Sequence, residues 1–168
     1  MSAETITTAL FLITAVVASA VLINAVYPVI SNMAGTFSST THESDTRIRT
    51  DFKIIATYAS QTSGTAQVWM KNIGSEQISL PDIQRADVFG GAPGDFNHLA
   101  HTGSTLGDNQ WIETFTNPEY DLNGNRYWDP GETVKVTFKT TIPSMGNRVY
   151  FQFALPDGNW RSTEFTVS

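Results

Sequence analysis

The chain has 168 residues, 16 acids against 10 bases, a formal charge of −6 and no cysteine. The missing cysteines exclude disulfides and thiolate metal sites without fixing the compartment, since oxidising conditions permit disulfides but do not require them. Lys and Arg form no cluster, so the composition speaks against nucleic-acid binding.

The first element is apolar. From Ile6 to His42 no residue is charged, counting His as neutral. Ile6 to Ile30, about 25 residues at ~1.5 Å each, reaches ~37 Å and exceeds a hydrocarbon core of ~30 Å. A secretory signal would need a basic n-region and a shorter apolar core; here the leader is Met1-Ser2-Ala3-Glu4. A cytosolic core helix would carry a polar stripe, and none is visible. A retained membrane or helix-core anchor is therefore expected. Its polar members, Thr7, Thr8, Thr14, Ser19 and Asn24, are small. Ala15, Ala18 and Ala20 allow close approach of neighbouring helices, and Asn24 asks for a partner across them, so self-association through the N-terminal helix is expected. Tyr27, Pro28 and then Gly35 mark its exit. On orientation, Arg47, Arg49 and Lys53 follow the helix and lean toward a cytoplasmic C-terminal domain. Long domains are translocated largely regardless of charge, so charge leaves the orientation open.

Residues 1–42 are read as the hydrophobic helix with the start of a linker, and 43–168 as a β-domain. From Glu43 onward there are fifteen acids against ten bases, a charge of −5. The vocabulary becomes Thr, Val, Phe, Trp, Gly and Asn, which suits strands and turns. FKIIATYAS predicts a strand with Phe52, Ile54, Ala56 and Tyr58 on one face. TAQVWMKN predicts its hairpin partner across Gly64. Short strands follow near Glu76–Leu80 and Ala86–Phe89. Gly90 to Gln110 lacks a sustained period and is predicted to be a long surface loop. Strands resume at Trp111–Thr116, Glu132–Thr140, Arg148–Leu155 and Trp160–Val167, the last two joined at Asp157-Gly158. The fold class is α+β: a long N-terminal hydrophobic helix, then an antiparallel, Ig-like β-sandwich of about seven strands. The four tryptophans are read as sandwich core and rim.

SAETITTALFLITAVVASAVLINAV, then IRTDFKIIATYA, then VWMKNIGSEQISL resemble the FlaG family of membrane-associated archaellum proteins, which belongs with FlaF and the archaellins to the type IV pilin-like group. RTDFKII at Arg49–Ile55 and KNIGS at Lys71–Ser75 are the most specific pieces. Archaellins proper carry a basic leader ending in Lys or Arg and Gly, and this chain does not. The resemblance implies a non-enzymatic stator role on the extracytoplasmic side of an archaeal membrane, with a FlaF-like protein and the S-layer protein as partners.

The sharpest local motif is DLNGNRYWDPGE. Asp121, Asn123, Asn125, Tyr127, Asp129 and Glu132 fall at positions one, three, five, seven, nine and twelve, the ligand spacing of an EF-hand calcium loop. Arg126 departs from it, standing where Gly makes the sharp turn. The alternative is a surface turn whose Asn and Asp side chains bond their own backbone. The three carboxylates are expected to repel and open the loop unless a cation offsets them. His98-x-x-His101 falls short of the three or four ligands that zinc needs. Gly91, Asp95, His98, His101 and Asp108, in the expected loop, are the candidate partner contact. No nucleophile or phosphate-loop pattern is present, so a hydrolase has no assembled site. A membrane-anchored extracytoplasmic module binding cell-wall glycan or protein is the alternative to an archaellum component.

Overall fold

The computed structural model describes residues 3–115 and 119–168, with the backbone alone for residues 34–44. The chain separates into two compact units, Met1–Ser44 and Asp45–Ser168. The described residues of the first lie within helix α1, Ala3–Arg49, which continues through Pro28 and past Gly35, where the sequence had suggested an exit. Pro28 removes one hydrogen bond of the helix ladder but does not end it. From Ala3 to Met33 the helix is long and apolar enough to cross a membrane, and none of that surface is buried. The hydroxyls of Thr7, Thr8, Thr14 and Ser19 donate to carbonyls four residues back at 2.8–2.9 Å, which hides their polarity within the helix.

The second unit holds the strands β1 (Phe52–Ser60), β2 (Thr65–Asn72), β3 (Ile78–Ser79), β4 (Asp87–Ala92), β5 (Asp95–His101), β6 (Gln110–Thr114), β7 (Tyr127–Trp128), β8 (Thr133–Lys139), β9 (Arg148–Ala154) and β10 (Trp160–Thr166), with a short helix α2 (Leu80–Gln84) after β3. Eight strands form one sheet in the order β1-β2-β8-β6-β5-β4-β9-β10, and β3 pairs with β7 apart from it. All ladders are antiparallel except a brief parallel one, where Ala100 and His101 of β5 meet Gln110 and Trp111 of β6. At that seam the sheet folds on itself into two layers. Between them Phe138 stacks on Phe151 at 5.4 Å, while Phe153 meets Trp111 and Phe52 edge-on at 6.0 and 5.6 Å. The free edges come together where Ser168 N donates to Ala59 O at 2.9 Å. The result is a closed, barrel-like sandwich.

The expected strands at Phe52, Thr65, Trp111, Glu132, Arg148 and Trp160 are present within a residue or two; the expected end at Thr116 lies outside the described residues. Two expectations are corrected. Gly90–Gln110 is not a loop: it contains the end of β4 and all of β5, joined by a two-residue Pro93-Gly94 turn with Gly94 at φ 84°. The face assigned to β1 also fails beyond Ile54. Ile54 pairs with Met70 and Ala56 with Trp69, so Ile55 is an extra residue that flips the alternation. Ala56 and Tyr58 consequently point outward, and Ala59 is buried.

Candidate functional site

The twelve residues from Asp121 to Glu132 form a closed turn built on two buried carboxylates. Asp121 is 3% exposed and Glu132 is 6% exposed. Asp121 accepts from Gly124 N at 2.8 Å and from Arg126 N at 3.0 Å, and Glu132 from Leu122 N at 2.7 Å and Asp129 N at 3.0 Å. Asn123 and Asn125 repeat the pattern two residues on, accepting from Asn125 N and Tyr127 N at 3.0 and 2.7 Å. Their amides both donate to one oxygen of Asp129, at 2.6 and 2.9 Å. N–H donors from the loop itself thus meet both oxygens of Asp121, both of Glu132 and one of Asp129.

The loop nonetheless keeps features of a cation site. Arg126, at the sixth position, adopts φ 65°, the left-handed conformation that glycine normally supplies there. The other Asp129 oxygen, Oδ1, is buried without a hydrogen-bond partner. Such an orphan costs free energy unless something not yet named meets it. Against this, no three His, Asp or Glu side chains gather as a metal-holding group among the described residues.

The loop is clamped to the sandwich. Asn72, 1% exposed, donates to Trp128 O at 2.8 Å and Glu76 O at 2.9 Å and accepts from Gly74 N at 2.9 Å. Trp128, fully buried against Phe52, donates from its ring to Glu132 O at 2.9 Å. An asparagine inside a strand pattern, next to an Asn-x-Gly turn, was the sequence signal for this clamp.

The proposed partner residues do not form one loop. His98 and His101 lie three apart on β5, and a strand's period of two sends them to opposite sides. His98 faces outward, 3.0 Å from Asp87, while His101 is 2.5 Å from the Glu113 carboxylate, to which Gln84 also donates at 2.8 Å. Gly91 is buried in β4, Asp95 opens β5, and Asp108 pairs with Lys139 at 2.8 Å. Around Gly91 stands an aromatic group missed in the sequence. Phe96 packs on Tyr150 at 4.8 Å, and Phe89 lies 6.2 Å from Phe96 and 5.0 Å from His98. On the helix, Ala15 and Ala20 line a shallow groove with Leu12, Val16, Ser19 and Ile23; Ala18 and Asn24 lie outside it.

A family model described as archaeal-type flagellin matches residues 2–165. A protein of Archaeoglobus fulgidus, itself uncharacterised, is 30% identical over 138 residues, 81% of this chain and 80% of the relative. Among solved structures, the archaellum periplasmic stator complex FlaF and FlaG of Sulfolobus acidocaldarius is 22% identical with a TM-score of 0.53, covering 68% of this chain and 87% of its own. The archaeal flagellum of Methanospirillum hungatei is 19% identical with a TM-score of 0.66, covering 97% of this chain and 93% of its own. At such identities these two likenesses concern the fold.

Proposed function

The chain belongs to the archaeal-type flagellin family, and on that footing we propose that it is a FlaG-like, membrane-anchored structural component of the archaellum, not an enzyme. One observation carries the reading. Residues 3–33 expose apolar surface all round beside a domain whose own core is complete. Such a surface is stable only in lipid or against other helices. The proposed role is that of a stator, with the helix in the membrane and the sandwich on the extracytoplasmic side, linking the motor to the surface layer. The stator complex of Sulfolobus supports a FlaF-like partner, and the Methanospirillum filament supports self-association through the helix. The S-layer protein is the proposed outer partner. In the Asp121–Glu132 loop we propose weak calcium binding, supported by the ligand spacing and the unmet Asp129 oxygen.

The test is assembly of the intact chain in detergent, followed by light scattering. Asn24→Leu is expected to weaken or misregister the assembly while membrane insertion survives, because an exposed amide on an apolar helix gains a partner by bonding across helices. Unchanged assembly would remove Asn24 from the interface, and a monomeric intact chain would overturn the assembly reading.

A further inference from the structure

The layer formed by β5, β4, β9 and β10 turns an aromatic surface outward. Val88, Leu99, Phe151 and Phe153 are buried, so the residues alternating with them face solvent. The ladders set those outward residues in rows across the strands. Ser162, Gln152, Phe89 and His98 make one row, and Glu164, Tyr150, Gly91 and Phe96 the next. Trp160 and Asp87 flank Ala154 in a third. Gly91 shapes the middle of the face. It is buried although its position is outward, and a Cβ there would come within 2.8 Å of Phe96 Cα. Phe96 and Tyr150 stand on either side of it, two strands and about 10 Å apart in the backbone. Their rings nonetheless meet at 4.8 Å with planes 36° apart, an offset overlap across the glycine that leaves Phe96 45% exposed. Phe89 joins edge-on at 6.2 Å, and Trp160, 54% exposed, stands clear on β10.

The charges of this face are answered within it. Arg148 pairs with Glu164 at 3.1 Å, and His98 Nε2 lies 3.0 Å from Asp87. The Tyr150 hydroxyl donates to Gln152 Oε1 at 2.6 Å. The Gln152 amide NH2, the Ser162 hydroxyl and the second Asp87 oxygen have no hydrogen-bond partner among the described residues. These features narrow the ligand. A strongly charged partner finds little here to answer it, and a second copy would bring the same net negative charge. An apolar helix or a lipid surface would strip water from Gln152 and Ser162 without replacing its hydrogen bonds. A sugar chain meets both demands. A pyranose has a face of C–H groups that rests on the negative face of an aromatic ring, and a rim of hydroxyls that donate and accept.

We propose that this face binds a neutral saccharide chain, with Phe96 and Trp160 as ring contacts and Gln152, Ser162 and Asp87 as hydrogen-bond partners. Phe96 and Trp160 lie three strands and four residues apart, roughly 20 Å along the diagonal, so the site takes an oligosaccharide and not a single sugar. The ligand is additional to the archaellum role and does not depend on how the helix assembles.

The full chain is prepared in a zwitterionic detergent that carries no sugar. Tetrasaccharides of glucose, galactose, mannose and N-acetylglucosamine are then offered to it and read by saturation-transfer NMR. Transfer to pyranose C–H protons is expected from at least one of them. It should be unchanged in about 1 M salt, where charges are screened within about 3 Å. Phe96→Leu keeps apolar bulk and removes the ring; this variant and Trp160→Ala should each weaken the titrated affinity roughly two- to tenfold, the worth of one aromatic contact. Trp69→Ala, at a half-buried ring of the opposite layer, should leave the affinity as it was. Unchanged thermal melts would show that the variants fold. No transfer from any of the four sugars overturns the proposal, as does binding that survives both substitutions in the site. Binding of tetragalacturonate alone would mark an anion site and refute the neutral ligand. If no sugar binds and Phe96→Leu changes the oligomer mass in light scattering, the face belongs to a protein contact and the proposal falls. None of these outcomes touches the archaellum reading.

Discussion

Glu132→Gln separates the loop's own hydrogen bonding from any contribution of calcium. Both Glu132 oxygens accept backbone N–H donors, at 2.7 Å from Leu122 and 3.0 Å from Asp129, and the residue is 6% exposed. Glutamine keeps one acceptor and turns an amide NH2 toward the other N–H. A hydrogen bond to a charged group contributes about 1.5–3 kcal/mol, so the substitution should cost about 2–3 kcal/mol with chelator present. For a domain of this size a loss of 1 kcal/mol lowers Tm by roughly 3–4 °C, giving a fall of about 6–12 °C. Calcium acts separately. A site with Kd near 10⁻³ M, in a few millimolar calcium, adds RT ln(1 + [L]/Kd), about 1 kcal/mol, or a rise of roughly 3–4 °C in the unmodified protein and none in the variant. The assay is calorimetric melting of the full chain in detergent, with chelator and with calcium. A variant that melts with the unmodified chain in chelator refutes the hydrogen-bond argument. An unmodified chain that neither shifts nor gives binding heat in calcium leaves the loop as a self-closed turn.

Asn72→Ala strands Trp128 O, Glu76 O and Gly74 N, and should cost about 2–4 kcal/mol in a denaturant melt; a loss below about 1 kcal/mol would show that water replaces the clamp. Gly90→Ala places a Cβ 2.7 Å from the Phe138 ring and should destabilise by about 1–3 kcal/mol without altering the strand order; a neutral result would mean that the ring moves aside freely. The Asp82 carboxyl is held below its ordinary value of 3.8, chiefly by the hydrogen bond from Ser79 and, against the opposing effect of burial, by Arg85. Its contribution to stability is therefore present above pH 3.8 and lost as pH falls through the lowered folded value. Asp82→Asn should flatten that limb of an acid melt series, and an unchanged limb would remove the group from the pH dependence.

What the sequence made legible follows from period and turn chemistry. The helix shows because nothing interrupts its apolar run. β2, β8 and β9 alternate cleanly, with inward residues buried and outward ones not. β5 was hidden because its pattern is broken for two reasons. Four of its first five outward and inward positions stay exposed, and its hairpin turn is the Pro93-Gly94 pair, which reads equally as a breaker. A Pro-Gly pair flanked by strand formers is also the signature of a two-residue type II turn, which needs positive φ at the glycine. Gly90 and Gly91 compounded the error. They suggest a loop, yet one exists to admit the Phe138 ring and the other lies under Phe96. The extra residue at Ile55 had no sequence mark, since Phe, Ile, Ala and Tyr at alternate positions fit a flat strand perfectly well. For the site, spacing located the loop but could not say what meets its oxygens, because Asn, Asp and Glu accept N–H groups and cations alike.

The position of that loop bears on the proposed stator role. The last helical residues and the start of β1 are wrapped by the turn after β2: Ser75 N and Glu76 N donate to Arg49 O, and Ile73 N and Gly74 N donate to Asp51 O. Gly74 sits so close to Arg49 that any Cβ would fall 2.2 Å from its carbonyl oxygen, which is why the turn carries glycine there. The same turn is tied through Asn72 to Trp128 and from Trp128 to Glu132, the last residue of the Asp121–Glu132 loop. Arg49–Asp51 are therefore joined to the Asp121–Glu132 loop through three residue contacts, and to the aromatic core directly through Phe52. The proposed calcium site would therefore act beside the turn that holds Arg49 and Asp51, a local effect distinct from its small contribution to global stability.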